Sequence, residues 1–155
     1  MMNRGEKREK LPLRLNHSKE LARLMMIQGI YYGLTGLWPL LHMSSFIKIT
    51  GPKSDLWLVQ TVGMIILFVG CGFIVAGARK SVNVPLIIIA LGLILGFIVI
   101  EIVYVFLGVI SVIYMADALV QAALLFFWIL FSWRAIVSSP KPETAGATSA
   151  EKSPM

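Results

Sequence analysis

Two long apolar runs occupy the second half of the chain, between Leu86 and Trp133, and a short break at Gly108 separates them. Each run carries one carboxylate: Glu101 lies seven residues before Gly108, and Asp117 lies nine residues after it. If both runs are membrane-spanning helices with a rise of about 1.5 Å per residue, the two acids lie about 10 Å below the same membrane surface. The sequence therefore predicts that Glu101 and Asp117 are neighbours on an antiparallel helical hairpin.

The composition argues against a soluble domain. Of the 155 residues, 57% are hydrophobic and only 14% are charged, whereas soluble domains contain about 25% charged residues. We therefore predict an integral membrane protein. The net charge of +6 is concentrated in the N-terminal tail and the short loops, which predicts contact with anionic membrane lipids and no nucleic-acid partner. The single cysteine, Cys71, excludes an intramolecular disulfide and a cysteine metal site.

Four apolar segments are long enough to span a bilayer, so the sequence predicts an all-α fold, a transmembrane four-helix bundle. The first segment is interpreted as a span rather than a signal peptide, because it is 21 residues long and lacks a small-residue cleavage site. Residues 1–20 are predicted to form a basic cytoplasmic tail, and residues 135–155 a disordered cytoplasmic tail. The membrane domain, 21–134, contains predicted spans at about 21–41, 56–78, 84–107 and 111–133.

The distribution of basic residues predicts the topology. Four spans place both termini on one side of the membrane, and all of the 14 lysines and arginines except Lys48 and Lys53 lie on that side. This bias predicts that both termini are cytoplasmic and that the two acids lie in the outer half of the cell membrane, the inner membrane in a bacterium. Segment 44–55, between the first two spans, is expected to fold over the outer end of the bundle.

Polar side chains inside the predicted spans cluster in the outer half of the membrane. Tyr114, Asp117 and Gln121 share one face of the fourth span, because they are spaced three and four residues apart. Glu101 and Tyr104 share a face of the third span in the same way. We therefore predict a polar pocket to which all four spans contribute. Its predicted ligand-binding residues are Glu101, Asp117, Tyr104, Tyr114, Gln121, Gln60, Thr35 and Tyr32.

Several roles are open for such a pocket. Two acids close together in a low dielectric are not expected to be ionised simultaneously, so we expect them to share a proton. Acids inside a membrane are functional candidates by default, and our leading interpretation is a non-enzymatic site for a small amphipathic or lipidic ligand. The acids could instead lock helices together in an accessory subunit with a membrane-protein partner or a homo-oligomer, or act as general acid and base on a lipid. No catalytic motif, cofactor or metal site is predicted, and His42 is interpreted as an interfacial residue.

Glycines recur at intervals that suit close helix packing. Two spans carry a GxxxG pair, and another carries three glycines spaced seven residues apart. Such stripes let helices approach closely, and we interpret them as packing surfaces within the chain, with a dimer face as the alternative. The glycines are Gly29 and Gly33 on the first span, Gly63, Gly70 and Gly77 on the second, and Gly92 and Gly96 on the third.

Two segments carry a resemblance to known proteins: SFIKITGPKSDLWLVQTVGMIILFVG, from Ser45 to Gly70, and IEIVYVFLGVISVIYMADALVQ, from Ile100 to Gln121. They resemble a group of small, uncharacterised four-span bacterial membrane proteins with a TGPKxDxWLVxTVG element. The match covers about a third of the chain and implies a DoxX-like four-helix architecture in a bacterial membrane, without an activity. The matching residues are Thr50, Gly51, Pro52, Lys53, Asp55, Trp57, Gly63, Glu101, Tyr104, Ser111, Tyr114 and Asp117.

The chain departs from the pattern of that group at three places. Glu101 replaces an aspartate, residues 106–109 lack an arginine, and Val112 replaces a proline. Because the basic residue is missing, the resemblance does not imply a fixed ion pair with the acids.

Overall fold

The computed structural model describes residues 18–137, and every regular element within that range is an α-helix. The predicted all-α class is therefore confirmed for the described residues. The predicted tails, 1–20 and 135–155, fall almost entirely outside them. The helices are α1 (Ser18–Leu41), α2 (Met43–Thr50), α3 (Leu56–Ala78), α4 (Val84–Phe106) and α5 (Tyr114–Val137).

Three of these helices are long and apolar enough to cross a membrane. The mean hydropathy of the most apolar part of the helix is 2.4 in α3 and 3.1 in α4, and it is 1.8 in the Tyr114–Arg134 part of α5. At most 22% of each such stretch is buried inside the protein, so most of the apolar surface points outward, where lipid can cover it. The chain is thus a membrane protein whose described part is all-helical.

Helix α1 has a packed face that includes buried polar groups and an apolar outer face. Its 24 residues extend about 36 Å at 1.5 Å per residue, the length of a membrane span. Ile27, Ile30 and Leu34 point away from the protein with exposed fractions of 55%, 45% and 65%. Gln28 and Tyr32 are 0% and 1% exposed on the opposite face. Of the polar residues that make α1 less apolar than α3, α4 and α5, Gln28 and Tyr32 therefore face the interior, whereas Lys19 and Arg23, in its first two turns, are exposed.

Contacts made by α1 define the direction of its neighbours. Gln28 and Tyr32 lie one turn apart on α1. From Gln28 to Tyr32, the residue number of the contacted position increases on α4 and decreases on α5. Helix α4 therefore runs parallel to α1, and α5 runs antiparallel to it. The contacted residues, in order, are Ala90 and Phe97 on α4, and Trp128 and Gln121 on α5.

Helices α1 and α3 approach each other closely in antiparallel order. A Cβ atom on Gly29 would lie 2.7 Å from the carbonyl oxygen of Gly70, and one on Gly77 would lie 2.6 Å from that of Ala22. Because the opposing atoms belong to the backbone, these glycines allow a separation that a side chain would prevent. The predicted packing role of the α3 glycines is confirmed. The opposing pairs, seven residues apart on both helices, are Gly36 with Gly63, Gly29 with Gly70, and Ala22 with Gly77.

The packing role predicted for the GxxxG pair of α4 is wrong within the described part of the chain. A Cβ atom on either Gly92 or Gly96 would meet no other atom within 4 Å. Both glycines lie on an exposed face of α4, whereas Ala90 and Ile94 are fully buried. The spacing identified a common face correctly, but a helical period does not indicate whether that face meets a neighbour.

The connection between α4 and α5 is longer than the sequence suggested, because α5 begins at Tyr114 rather than near residue 111. Gly108, with φ of 69°, occupies the left-handed region that ends a helix, and the carbonyl of Tyr104 accepts hydrogen bonds from the amides that follow. The Ser111 hydroxyl accepts from the amide of Ile113 at 3.4 Å, so it closes a turn before α5. Asp117 consequently lies in the first turn of α5.

The short helix α2 packs beside the end of α1. Trp38 donates its indole N–H to the hydroxyl of Ser45 at 2.9 Å, and its ring meets that of Phe46 edge-on at 5.6 Å. His42 caps α2 by accepting a hydrogen bond from the Ser45 amide, which is a structural role. After α2, Gly51 approaches Ser111, so the segment before α3 adjoins the α4–α5 connection. This arrangement brings segment 44–55 to the end of the protein that carries the two acids.

Candidate functional site

A line of polar side chains connects α1 with α5. On α5, Asp117, Gln121 and Trp128 share a face because they are spaced four and seven residues apart. On α1, Gln28 and Tyr32 are spaced by four and face them. We call this set the polar network; its members are Gln28, Tyr31 and Tyr32 on α1, Glu101 on α4, and Asp117, Gln121 and Trp128 on α5.

The inner part of the polar network is closed by hydrogen bonds. The indole N–H of Trp128 donates to Gln28 Oε1 at 2.8 Å, and Gln28 Nε2 donates to the carbonyl of Ala90 at 3.2 Å. Both side chains are 0% exposed. One turn further along α1, the Tyr32 hydroxyl donates to Gln121 Oε1 at 3.1 Å. These bonds satisfy polar groups that would otherwise be stranded in an apolar interior.

Tyr32 lies where three other helices meet. Its ring contacts Phe73 of α3 at 6.3 Å and Phe97 of α4 at 5.9 Å between centroids, while its hydroxyl reaches Gln121 of α5. An aromatic body with a polar tip suits this position because apolar rings surround the ring and an amide accepts from the hydroxyl. Tyr32 therefore connects α1 to α3, α4 and α5.

The outer part of the polar network contains the two acids, which we call the acid pair. Tyr31 donates its hydroxyl to the carboxyl of Asp117, on the first turn of α5. The carboxyl of Glu101, on α4, lies within interacting range of that of Asp117. The prediction that α4 and α5 bring these two acids together is thus supported by their positions. Helix α1 contributes the tyrosine that adjoins them.

Glu101 is not fully satisfied by its surroundings. Its side chain is only 4% exposed, and its Oε2 atom is buried without a hydrogen-bond partner among the described residues. The parts of α1, α4 and α5 around it contain no lysine or arginine, because none occurs in residues 24–47 and 81–133. The site therefore presents a buried acceptor that needs a donor.

Lys53, from segment 44–55, lies near the end of the site that contains the acid pair. The ammonium of Lys53 is 5.0 Å from the centroid of the Tyr114 ring, and it donates to the carbonyl of Thr50 at 3.2 Å. Tyr114 precedes Asp117 by three residues on α5, so the two share a face. Lys53 therefore makes a cation–π contact with Tyr114, one turn before Asp117 on α5.

The eight predicted ligand-binding residues separate into two groups. Glu101, Asp117, Gln121 and Tyr32 belong to the polar network, and Thr35 lies beside it, with its hydroxyl donating to the Tyr31 carbonyl at 2.8 Å. The others lie outside the network: Tyr114 at the outer edge below Lys53, Tyr104 with 44% of its surface exposed, and Gln60 exposed on α3.

Gln60 lies apart because the glycine stripe determines which face of α3 is packed. Gln60 is three residues from Gly63, which places it about 60° around the helix from the stripe that meets α1. The expectation that all four spans supply polar groups to the site is not met: the network draws on α1, α4 and α5, and α3 contributes the ring of Phe73.

Three members of the network were absent from the predicted set: Gln28, Tyr31 and Trp128. Depth in the membrane places Tyr31 in or near the outer half, but it places Gln28 in the inner half and away from the acids. The helical period carried the missing signal, because Gln28 precedes Tyr31 by three residues and Tyr32 by four. Trp128 follows Gln121 by seven residues on α5, which places it on the same face.

The arrangement has a definite chemical preference. Oε2 of Glu101 accepts hydrogen bonds or offsets positive charge, and the neighbouring Asp117 adds a second acceptor. An ammonium, a hydroxyl or an amide N–H would suit the acid pair, while an anion would be repelled. No group of three or more metal-binding side chains occurs among the described residues.

No protein-family profile, curated protein or solved structure matches the chain.

Proposed function

We propose that this chain is a multi-pass membrane protein that binds a small amphipathic or lipidic molecule at the acid pair. The observation that carries the proposal is the buried, unpartnered Oε2 atom of Glu101. Leaving such an acceptor unsatisfied costs about 1–3 kcal/mol, and more when the group is charged. A ligand that donates a hydrogen bond to this oxygen removes that cost, so we expect a hydroxyl, amine or ammonium headgroup.

The proposed architecture is a transmembrane four-helix bundle in which α1 spans the membrane together with α3, α4 and α5. The exposed Ile27, Ile30 and Leu34 support this assignment, because they give α1 an apolar outer surface. Gln28 and Tyr32 face the other helices, and the exposed charged residues Lys19 and Arg23 lie in the first two turns of α1. The resemblance of residues 50–63 to small four-span bacterial membrane proteins points to the same architecture.

The proposed orientation has both termini in the cytoplasm and the acid pair near the outer surface, in the inner membrane if the cell is bacterial. Twelve of the 14 lysines and arginines lie on the side of the termini, and Lys48 and Lys53 lie on the other. Basic residues are retained on the cytoplasmic side, so this distribution favours the proposed orientation. The ligand would then reach Glu101 from the outer leaflet or the periplasmic side, past Lys53.

A second candidate function is that of an accessory subunit. It is favoured by the open space in front of Gly92 and Gly96, since small residues on an outward face suit a partner helix or a second copy of the chain. In that case, the Tyr31–Asp117 and Tyr32–Gln121 hydrogen bonds hold helices together, at about 0.6 kcal/mol each. This reading accounts for Asp117 and Gln121, but it leaves the Oε2 atom of Glu101 without a partner. An enzyme that modifies lipids is the least supported candidate, because no catalytic motif is recognised.

The proposal is tested by identifying the molecules that co-purify with the full chain. Wild type and Glu101→Gln, each extracted gently and verified as folded by its unfolding midpoint, are compared by mass spectrometry. We expect a specific small molecule or lipid with a donor headgroup in the wild type and at least a tenfold lower amount in the variant, because the amide replaces one carboxyl oxygen with an N–H donor while preserving the side-chain size.

The matched control is Asp55→Asn, which neutralises an exposed carboxylate at the same end of the protein. It should retain the molecule at the wild-type level. Identical molecules in all three samples would contradict the binding role and leave Glu101 without a ligand. If a protein partner were also retained in all three, the accessory-subunit function would be preferred.

A further inference from the structure

A second candidate site lies at the opposite end of the protein from the acid pair. A cavity of about 330 Å³ opens between the beginning of α1 and the end of α3. Three of its lining residues are basic: Lys19 and Arg23, one turn apart on α1, and Lys80, from the α3–α4 connection. Within the described part of the chain its lining contains no acidic residue. The remaining lining residues are Ala22, Met26, Gly77 and Ala78.

Backbone geometry explains why the basic residues of two elements converge there. Gly77 lacks a side chain, and a Cβ atom at that position would lie 2.6 Å from the Ala22 carbonyl, so α1 and α3 are nearly in contact. Immediately afterwards, Lys80 adopts the left-handed conformation with φ of 52°, and its amide donates to the Gly77 carbonyl at 3.0 Å. This turn reverses the chain at the end of α3 and keeps Lys80 beside the start of α1.

Three basic side chains line the cavity, and Glu20, in the first turn of α1, is the acidic residue nearest to them in sequence. Lys19 and Arg23 have like charges four residues apart on one helix face, an arrangement that destabilises a helix. They also lie in the first two turns of α1, where the helix dipole is positive and repels cations. Lys80 adds a third positive charge from the other side. A bound anion would offset all three charges.

We propose that this cavity binds the phosphate headgroup of an anionic phospholipid. Basic pockets between membrane helices are suited to such headgroups, and this cavity is large enough for a headgroup but small for a whole lipid. The apolar residues Met26 and Ala78, which also line it, adjoin the region that acyl chains occupy. The site is independent of the acid pair and of its proposed ligand.

The test measures lipid binding to the full-length protein by native mass spectrometry in detergent. Phosphatidylglycerol and phosphatidylcholine with identical acyl chains are titrated separately. We expect wild type to bind phosphatidylglycerol at least tenfold more tightly than phosphatidylcholine. The double variant Arg23→Gln/Lys80→Gln should bind it about 30-fold more weakly than wild type, from the typical contribution of each basic residue near a membrane surface.

The matched control, Arg79→Gln/Lys48→Gln, has the same net charge but changes no residue that lines the cavity. Its affinity for phosphatidylglycerol should be within about threefold of that of wild type, because Arg79 and Lys48 contribute only non-specific attraction to the lipid. Equal weakening in both double variants, or equal binding of the two lipids by wild type, would overturn the proposal. The charge-conserving variant Arg23→Lys/Lys80→Arg should retain binding, which separates loss of the site from loss of folding.

Free phosphate shares the chemistry of the headgroup, and a competition experiment distinguishes the two sources. Millimolar inorganic phosphate should leave the bound phosphatidylglycerol in place, because only the lipid also has acyl chains that contact the apolar surface. Complete displacement by inorganic phosphate would assign the cavity to a soluble anion and overturn the lipid assignment.

Discussion

Gln28 joins three helices with a single side chain. Its amide accepts a hydrogen bond from Trp128 of α5 through Oε1 and donates one to the carbonyl of Ala90 on α4 through Nε2. An amide is suited to this role, because it offers a donor and an acceptor without a charge. An acid or a lysine in the same fully buried position would introduce a charge as well. At the residue scale, therefore, the inner network is satisfied, and Glu101 differs from it in retaining a free acceptor.

Replacing Gln28 with leucine should destabilise the protein by about 1–3 kcal/mol, because the buried indole N–H of Trp128 loses its acceptor. Unfolding in a detergent mixture, monitored by tryptophan fluorescence, measures this change. The matched control is Gln60→Leu, which replaces an exposed glutamine on α3 and should alter the free energy of unfolding by less than about 0.5 kcal/mol. Similar effects of the two substitutions would indicate that the Gln28 hydrogen bonds contribute little.

At the element scale, the hydropathy pattern predicted α3 and α4 well because each is a long apolar run bounded by polar residues. The start of α5 was less predictable, since the turn at residues 107–113 depends on local hydrogen bonds and on the left-handed Gly108. The proximity of Glu101 and Asp117 followed from their depth alone. Membership of Gln28 and Trp128 in the network required knowing which helix faces meet, and that depends on packing among all the helices.

The sequence spacing of the glycines likewise does not indicate which helix faces meet, and glycine substitutions test those contacts. Gly70→Ala places a Cβ atom 2.6 Å from the backbone nitrogen of Gly33 and 2.7 Å from the carbonyl oxygen of Gly29. Since these are backbone atoms, α1 and α3 must separate, and we expect a loss of about 1–3 kcal/mol or more in detergent unfolding. Gly92→Ala meets open space, so stability should be unchanged or higher by up to about 1 kcal/mol.

A loss of stability in Gly92→Ala that depended on protein concentration would show that this face packs against another copy. In that case, the GxxxG pair of α4 would be an association surface, and the accessory-subunit function would gain support. A Gly70→Ala variant as stable as wild type would contradict the close contact between α1 and α3.

At the scale of the whole molecule, opposite chemistries occupy opposite ends. The acid pair lies at the end that carries α2 and the 107–113 connection, and the basic cavity lies at the end that carries the start of α1. The antiparallel order of α1 and α3 places residues 79 and 80 beside that start. A membrane-spanning α1 makes these ends face different compartments, so ligands at the two sites would come from opposite sides of the membrane.

Cysteine labelling at both ends of α1 tests this organisation. In a Cys71→Ala background, we expect Lys48→Cys to react with an impermeant maleimide in intact spheroplasts, because the proposed topology places residue 48 outside. Lys19→Cys and Arg79→Cys should react only after the membrane is disrupted. All three positions are exposed on the protein surface, so protection must come from the membrane. If Lys19→Cys and Lys48→Cys were labelled under the same conditions, α1 would lie along the membrane surface. Only α3, α4 and α5 would then span, and the acid pair and the basic cavity could no longer be assigned to opposite compartments.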